Sequence, residues 1–249
     1  MKPLTPSQLL SSERSQVGMA ALEREDYEEA EKRLSEAVRL NKKDITHRRN
    51  YAEALWRREK YKEALQQLDE AVKRGGADDA SLHISLAEKH LFLKQTAIAF
   101  EHADHAVKLN PNEYKSWALR ARAGSHLALE NPSGPQRQDF LVQAKSDYYR
   151  ALSLSPENRD ILPELASAQM HCGQSEHALA TWLKLQDTFQ PGAEPVELLQ
   201  GKAESLIVLR RFDEALDCLQ AAWSREPGSE AIERRILEVV AMAQNRVLY

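Results

Sequence analysis

The sequence predicts an all-α protein, on two observations: the kind of apolar residue it uses and a pattern of small residues that recurs along its length. Apolar residues make up 42% of the 249, enough to bury a core without disulfide staples. Alanine and leucine supply 33 residues each, whereas valine, isoleucine and threonine supply only 10, 7 and 5. Helices favour the first pair and sheets favour β-branched side chains. Glycine and proline, at 9 and 10 residues, fall below their usual share of ~12%. That suits helices joined by short turns.

The first helix is expected to start at Pro6. Thr5-Pro6-Ser7-Gln8 has the form of a capping box with proline at the first helical position. Beyond it the chain repeats itself. Glu25-Asp26-Tyr27-Glu28-Glu29-Ala30 returns as Glu59-Lys60-Tyr61-Lys62-Glu63-Ala64 and again as Arg210-Arg211-Phe212-Asp213-Glu214-Ala215. The anchoring alanines are Ala30, Ala64, Ala99, Ala144, Ala178 and Ala215, spaced by 34, 35, 45, 34 and 37 residues. Upstream of each lies another small residue: Gly18, Ala52, Ala87, Ala121, Ala166 or Ala203. Downstream lie Ala37, Ala71, Ala106, Ala151, Leu185 and Ala222. Small residues at matched positions let two helix backbones approach closely. Leu34, Leu68, Tyr148, Trp182 and Leu219 are placed to fill the space beside them, with Tyr27, Tyr61 and Phe212 near the turns. Pro111, Pro156 and Pro227 end units, because proline cannot continue a helix.

This pattern resembles the tetratricopeptide repeat family, helix–turn–helix units of about 34 residues. The resemblance implies a right-handed α–α superhelix, a solenoid of antiparallel helix pairs forming a single domain over residues 1–249. The units are 11–44, 45–78, 80–113, 114–158, 159–192 and 196–229. A capping helix is expected over 230–246, with Ser229 at its N-terminus and Ile232, Ile236, Val239 and Val240 at helical spacing. Such a helix covers the core face that the last unit would expose. Six pairs and the capping helix predict thirteen main helices.

Three departures stand out. The fourth unit carries extra residues around Asn131-Pro132-Ser133-Gly134-Pro135, a turn by composition, so its two helices are expected to be about a turn longer. A tolerated surface insertion is favoured there over a docking protrusion. A second break lies at Gln190–Pro195. The third unit has Thr96 and Ala103 where large side chains normally sit, with Phe92 and Phe100 available to compensate.

The resemblance also implies a binding face. In the family, peptides lie along the first helix of each unit. That register places Arg49, Asn50, Glu53, Trp56 and Arg57, then Glu88 and Phe92, then Lys115, Arg122 and His126 on the groove, with Glu164 further on. Aromatic side chains beside arginine suit a peptide, because they combine contact area with charge-assisted hydrogen bonds. A clamp for a chaperone tail's terminal carboxylate is not expected, since Ser15, Met19, Ser81 and Ser85 stand where that clamp needs lysine, asparagine or arginine.

Other chemistry is absent from the pattern. The net charge is −4, which disfavours a general affinity for nucleic acid backbones. Cys172 and Cys218 form neither a disulfide framework nor a CxxC pair. His83, His90, His102 and His105 read as a solvated helix face rather than a metal site, lacking an evident ligand set and second shell. No phosphate-binding loop or metalloprotease motif occurs, and no catalytic residue or cofactor is expected. No apolar run is long enough to span a bilayer, and residues 1–16 lack the features of a secretory signal. The expectation is a cytoplasmic, non-enzymatic scaffold or adaptor for a protein or peptide partner of unknown identity. An accessory subunit of an enzyme or assembly complex is the alternative, and an RNA-binding helical repeat is a weaker one.

Overall fold

A computed structural model describes residues 5–246. These form thirteen α-helices, with no strand among the described residues. The helices gather into two compact units, divided in sequence between Pro111 and Asn112.

The first unit holds α1 (Pro6–Glu23), α2 (Tyr27–Leu40), α3 (Ile45–Arg57), α4 (Tyr61–Ala71), α5 (Ala80–Phe92) and α6 (Thr96–Leu109). Each helix packs on the next, and α1 also touches α3. The expected capping box is present: Gln8 N donates to Thr5 Oγ1, and Thr5 N donates to Gln8 Oε1 at 2.9 Å. Asp26, Asp44 and Asp79 cap α2, α3 and α5 through side-chain oxygens, satisfying amides that have no partner within the helix. A kinked turn over Val72–Gly76 follows α4, with Arg74 outside helical geometry and Gly75 at φ 110°, which the repeat pattern did not announce.

The second unit holds α7 (Tyr114–Glu130), α8 (Arg137–Leu154), α9 (Ile161–His171), α10 (Ser175–Gln186), α11 (Val196–Val208), α12 (Phe212–Arg225) and α13 (Glu230–Arg246). Here too each helix packs on the next, while α9 touches both α7 and α11. The insertion lengthens its pair as expected: α7 and α8 have 17 and 18 residues, against 11 and 12 in α9 and α10. α13 begins directly after Ser229 and packs on α12, with Ile232 and Val239 buried.

The small-residue pattern is the core. Every anchoring alanine and every one of its upstream and downstream partners is buried. Leu34, Leu68, Tyr148 and Leu219 are fully buried beside them, and Trp182 is nearly so. One close approach involves Gly201 of α11. A Cβ there would lie 2.3 Å from Cζ2 of Trp182, so the indole of α10 rests on the glycine backbone itself.

Five of the turns joining paired helices are three residues long, and they share one geometry. The middle residue has positive φ: Glu25 at 60°, Glu59 at 59°, Lys94 at 56°, Gly173 at 73° and Arg210 at 58°. In each, the following amide donates back across the turn: Asp26 to Ala21, Lys60 to Leu55, Gln95 to His90, Gln174 to Gln169 and Arg211 to Leu206, all at 2.8–2.9 Å. This satisfies a carbonyl near the helix C-terminus and fixes the antiparallel return. Only the fifth unit uses glycine, which adopts this conformation without a Cβ clash. Replacing Glu59 or Arg210 by glycine should therefore stabilise the chain by about 0.5–1 kcal/mol each, and Gly173→Ala should cost about as much. Urea midpoints would check this, and midpoints moving in the same direction for both classes would contradict it.

Candidate functional site

Seven of the expected contact residues lie in the first unit. Arg49, Asn50, Glu53, Trp56 and Arg57 form a stripe along α3, and Glu88 and Phe92 stand one turn apart on α5. Helical spacing puts each set on one face. The two helices are tied across that face. Arg49 Nη1 donates to Ser81 Oγ at 2.5 Å. Glu53 accepts from Arg57 Nε through one oxygen and from Lys89 Nζ through the other, both at 2.9 Å. Burial raises the pKa of the Glu53 carboxyl, but hydrogen bonds and charge from Lys89 and Arg57 outweigh it and hold the pKa below its ordinary value. Asn50 Nδ2 reaches Ser15 Oγ of α1 at 3.4 Å and lines an open cleft of about 440 Å³ between α1 and α3.

Trp56 is half-buried at the end of α3, 4.7 Å from the ring of Tyr61 and 5.3 Å from that of Phe92. Lys89 Nζ sits 4.8 Å from its ring centroid, a cation–π contact. Phe92 is 61% exposed. It joins this aromatic cluster instead of filling the third pair. Arg57 and Glu88 are also exposed. The face is thus an aromatic edge bordered by both signs of charge. Lys89, buried and joining two of the predicted residues, was missed by the repeat register. Its pairing spans 36 residues and leaves no local signal.

The third pair itself is filled by imidazoles, which overturns the expectation of a solvated histidine face. His83 and His90 of α5 are buried, His102 of α6 is half-buried, and only His105 is exposed. With the small Thr96 and Ala103 on α6 both buried, the rings meet across the helix pair. His83 Nε2–H donates to the Ala77 carbonyl at 3.0 Å. In the neutral ring His83 Nδ1 is then an acceptor, and His102 Nδ1–H donates to it at 3.0 Å. His90 stacks on His102, with centroids 5.6 Å apart. Burial, and then the neighbouring imidazoles, lower the His102 pKa to about 4. Burial lowers that of His83 as well. No group of three or more His, Cys, Asp or Glu among the described residues is disposed to hold a metal ion.

Of the other predicted residues, Lys115, Arg122 and His126 lie on α7 of the second unit and Glu164 on α9. Lys115 is exposed at its first turn. Arg122 Nε donates to Glu164 Oε1 of α9 at 2.7 Å. The pair borders a cleft of about 260 Å³ whose lining includes Ser125, His126, Leu129, Tyr148 and Pro163. Tyr148 is 1% exposed. Its pKa is raised, first by burial and then by the Glu164 carboxylate beside it. The Tyr148 hydroxyl sits against both the Glu164 carboxylate and the Ser125 hydroxyl.

A family model described as tetratricopeptide repeat matches residues 18–80. No curated protein matches the sequence. Among solved structures, PilF of Pseudomonas aeruginosa superposes with a TM-score of 0.76 at 14% identity, covering 94% of this chain and all of that one. PilW, described as a widely conserved type IV pilus biogenesis factor, gives 0.74 at 17% identity, covering 91% of this chain and 98% of its own. YrrB, described as a TPR protein with an unusual peptide-binding site, gives 0.66 at 14% identity, covering 81% and 96%. At these identities the likeness is one of fold.

Proposed function

We propose that this chain, a tetratricopeptide-repeat protein, is a non-catalytic scaffold or adaptor that holds a protein segment on the groove side of first helices within a unit, with α3 and α5 as the main face. An accessory subunit of a larger complex would use the same faces. The observation carrying the reading is the edge of the first unit, where Phe92 is 61% exposed on a rigid aromatic and ionic base. Such a preformed surface binds without the cost of ordering itself. Arg49 and Arg57 in the first unit, and Lys115 and Arg122 in the second, favour an extended, partly acidic partner. Glu53 and Glu88 interrupt the positive field, so uniform phosphate binding is not part of the proposal. A cytoplasmic setting is part of it.

Arg57→Gln combined with Phe92→Ala should leave the fold intact, since exposed side chains contribute little to stability. It should weaken capture of the main partner about tenfold or more, as expected when an aromatic–arginine anchor is removed. Affinity capture with quantitative mass spectrometry, beside circular dichroism of the variant, would measure both. Undiminished yield of the same partner would move the site off the α3–α5 face.

A further inference from the structure

The outer face of α13 breaks the rule that the other first helices keep. A shift of 34 residues lays α13 on α11. Leu198 and Ser205 then become Ile232 and Val239, and all four are buried. Ile232 and Val239 share clusters with Ala222, Cys218 and Leu219 of α12, so this side faces the preceding pair. The other side of α11 holds Ala203, Leu206 and Ile207, buried in one cluster with Ala215, Cys218 and Leu219 of its own second helix. The counterparts on α13 are Leu237, Val240 and Ala241, and no described helix follows to cover them. Leu237 is 65% exposed, and Ala241 is exposed beside it. Terminal helices of repeat arrays ordinarily present a polar outer face. Here a leucine stands where all six pairs have glycine or alanine.

This face is complementary to itself. Leu237 and Ala241 lie one turn apart. When two α13 helices run antiparallel about a two-fold axis between them, each leucine enters the gap over the other's alanine. The same operation sets Glu233 of one helix opposite Gln244 of the other, and both residues are exposed. The carboxylate accepts and the carboxamide donates. A parallel pairing would instead set like on like. We propose that α13 is a dimerisation surface, on which a second copy of this chain lays its own α13 antiparallel across Leu237 and Ala241. The contact is isologous and closes at two copies. A helix of 17 residues offers a strip ~25 Å long and ~10 Å wide, well below the ~800 Å² per partner of a stable interface. The dimer is therefore weak and concentration-dependent. It stands apart from the scaffold reading, since it uses neither α3 nor α5.

Sedimentation equilibrium of the full chain tests this from about 10 μM to about 1 mM, the range of weak complexes. The wild type should climb from the monomer mass of 28.3 kDa towards twice that value. Leu237→Glu should hold the chain monomeric throughout, because pairing would then press two unpaired carboxylates into an apolar seat. Its helicity by circular dichroism should not change, since the position is exposed. Leu183→Glu, at another exposed leucine (42%), should dimerise as the wild type does. A wild type that stays monomeric at every concentration would overturn the inference and leave the face to a helix of some other protein. Self-association that survives Leu237→Glu would overturn it. So would loss of association in both variants, which marks general apolar adhesion. None of these outcomes bears on capture at the α3–α5 face.

Discussion

Asp147→Ala should cost the second unit about 3–5 kcal/mol, the loss expected when one partner of a buried ion pair is removed. Asp147 is 3% exposed. Its two oxygens accept from Nε and Nη2 of Arg120, both at 2.8 Å. The guanidinium lies 4.9 Å from the ring centroid of Trp117, so it is held among packed groups of α7 and α8. Removing the carboxylate leaves the cation without this bidentate acceptor in a place water reaches poorly. Asp147→Asn keeps one acceptor and the shape, and should cost less. Thermal unfolding followed by circular dichroism should show a drop on the order of 10 °C for the alanine variant. An unchanged midpoint would mean that the pair is solvated in solution. Replacing both residues by apolar ones should recover much of the loss, because no charge is then left unpaired.

Acid should loosen the first unit before carboxylate protonation does. The sign follows from the direction of the shift. His102 has its pKa lowered to about 4 from an ordinary value of 6.5, so the folded state holds the neutral ring. Between those values the unfolded chain binds protons that the folded chain resists. The stabilisation is complete above pH ~6.5 and is lost as pH falls towards ~4. For His102 the loss is on the order of 2 kcal/mol after discounting for the solvent that reaches it, and His83 adds to it in the same direction. Trp56 is the one tryptophan of residues 1–111, so in a variant with Trp117, Trp182 and Trp223 replaced by phenylalanine its fluorescence reports this unit during urea unfolding. Midpoints should fall between pH 7 and pH 4.5, and His102→Leu should flatten the dependence. Parallel midpoints for the wild type and the variant would count against the buried cluster.

The residues that were legible in advance and those that were not differ in how many partners they need. The anchoring alanines could be found because each solves the same steric problem in its own helix pair, and a repeated solution leaves a period in the sequence. The stripe on α3 was legible for a similar reason, since helical spacing alone puts Arg49, Glu53 and Trp56 on one side. The histidine interior was not. Imidazole tolerates both water and burial, so spacing could not say which side of α5 carried His83 and His90. The decision lay with α6, whose Thr96 and Ala103 leave room for rings. Lys89 and Asp147 are buried charges, each fixed by a partner on another helix, and such pairings have no local signature. The left-handed turn residues were hidden in the same way. Glu25, Glu59, Lys94 and Arg210 are poor choices for positive φ by local propensity, and the hydrogen bond back across the turn overrides it.

The seat of Trp182 on Gly201 limits how freely this chain can be cut and rejoined. Repeat arrays are commonly treated as strings of interchangeable cassettes, each carrying its own stability and a generic joint. The joint between α10 and α11 is not generic. The indole needs a bare backbone opposite it, and a Cβ there would come within 2.3 Å. An array assembled by shuffling units would tolerate the α9–α10 cassette only when the next one also supplies glycine at this position. The two cassettes are therefore inherited, or engineered, as a linked pair.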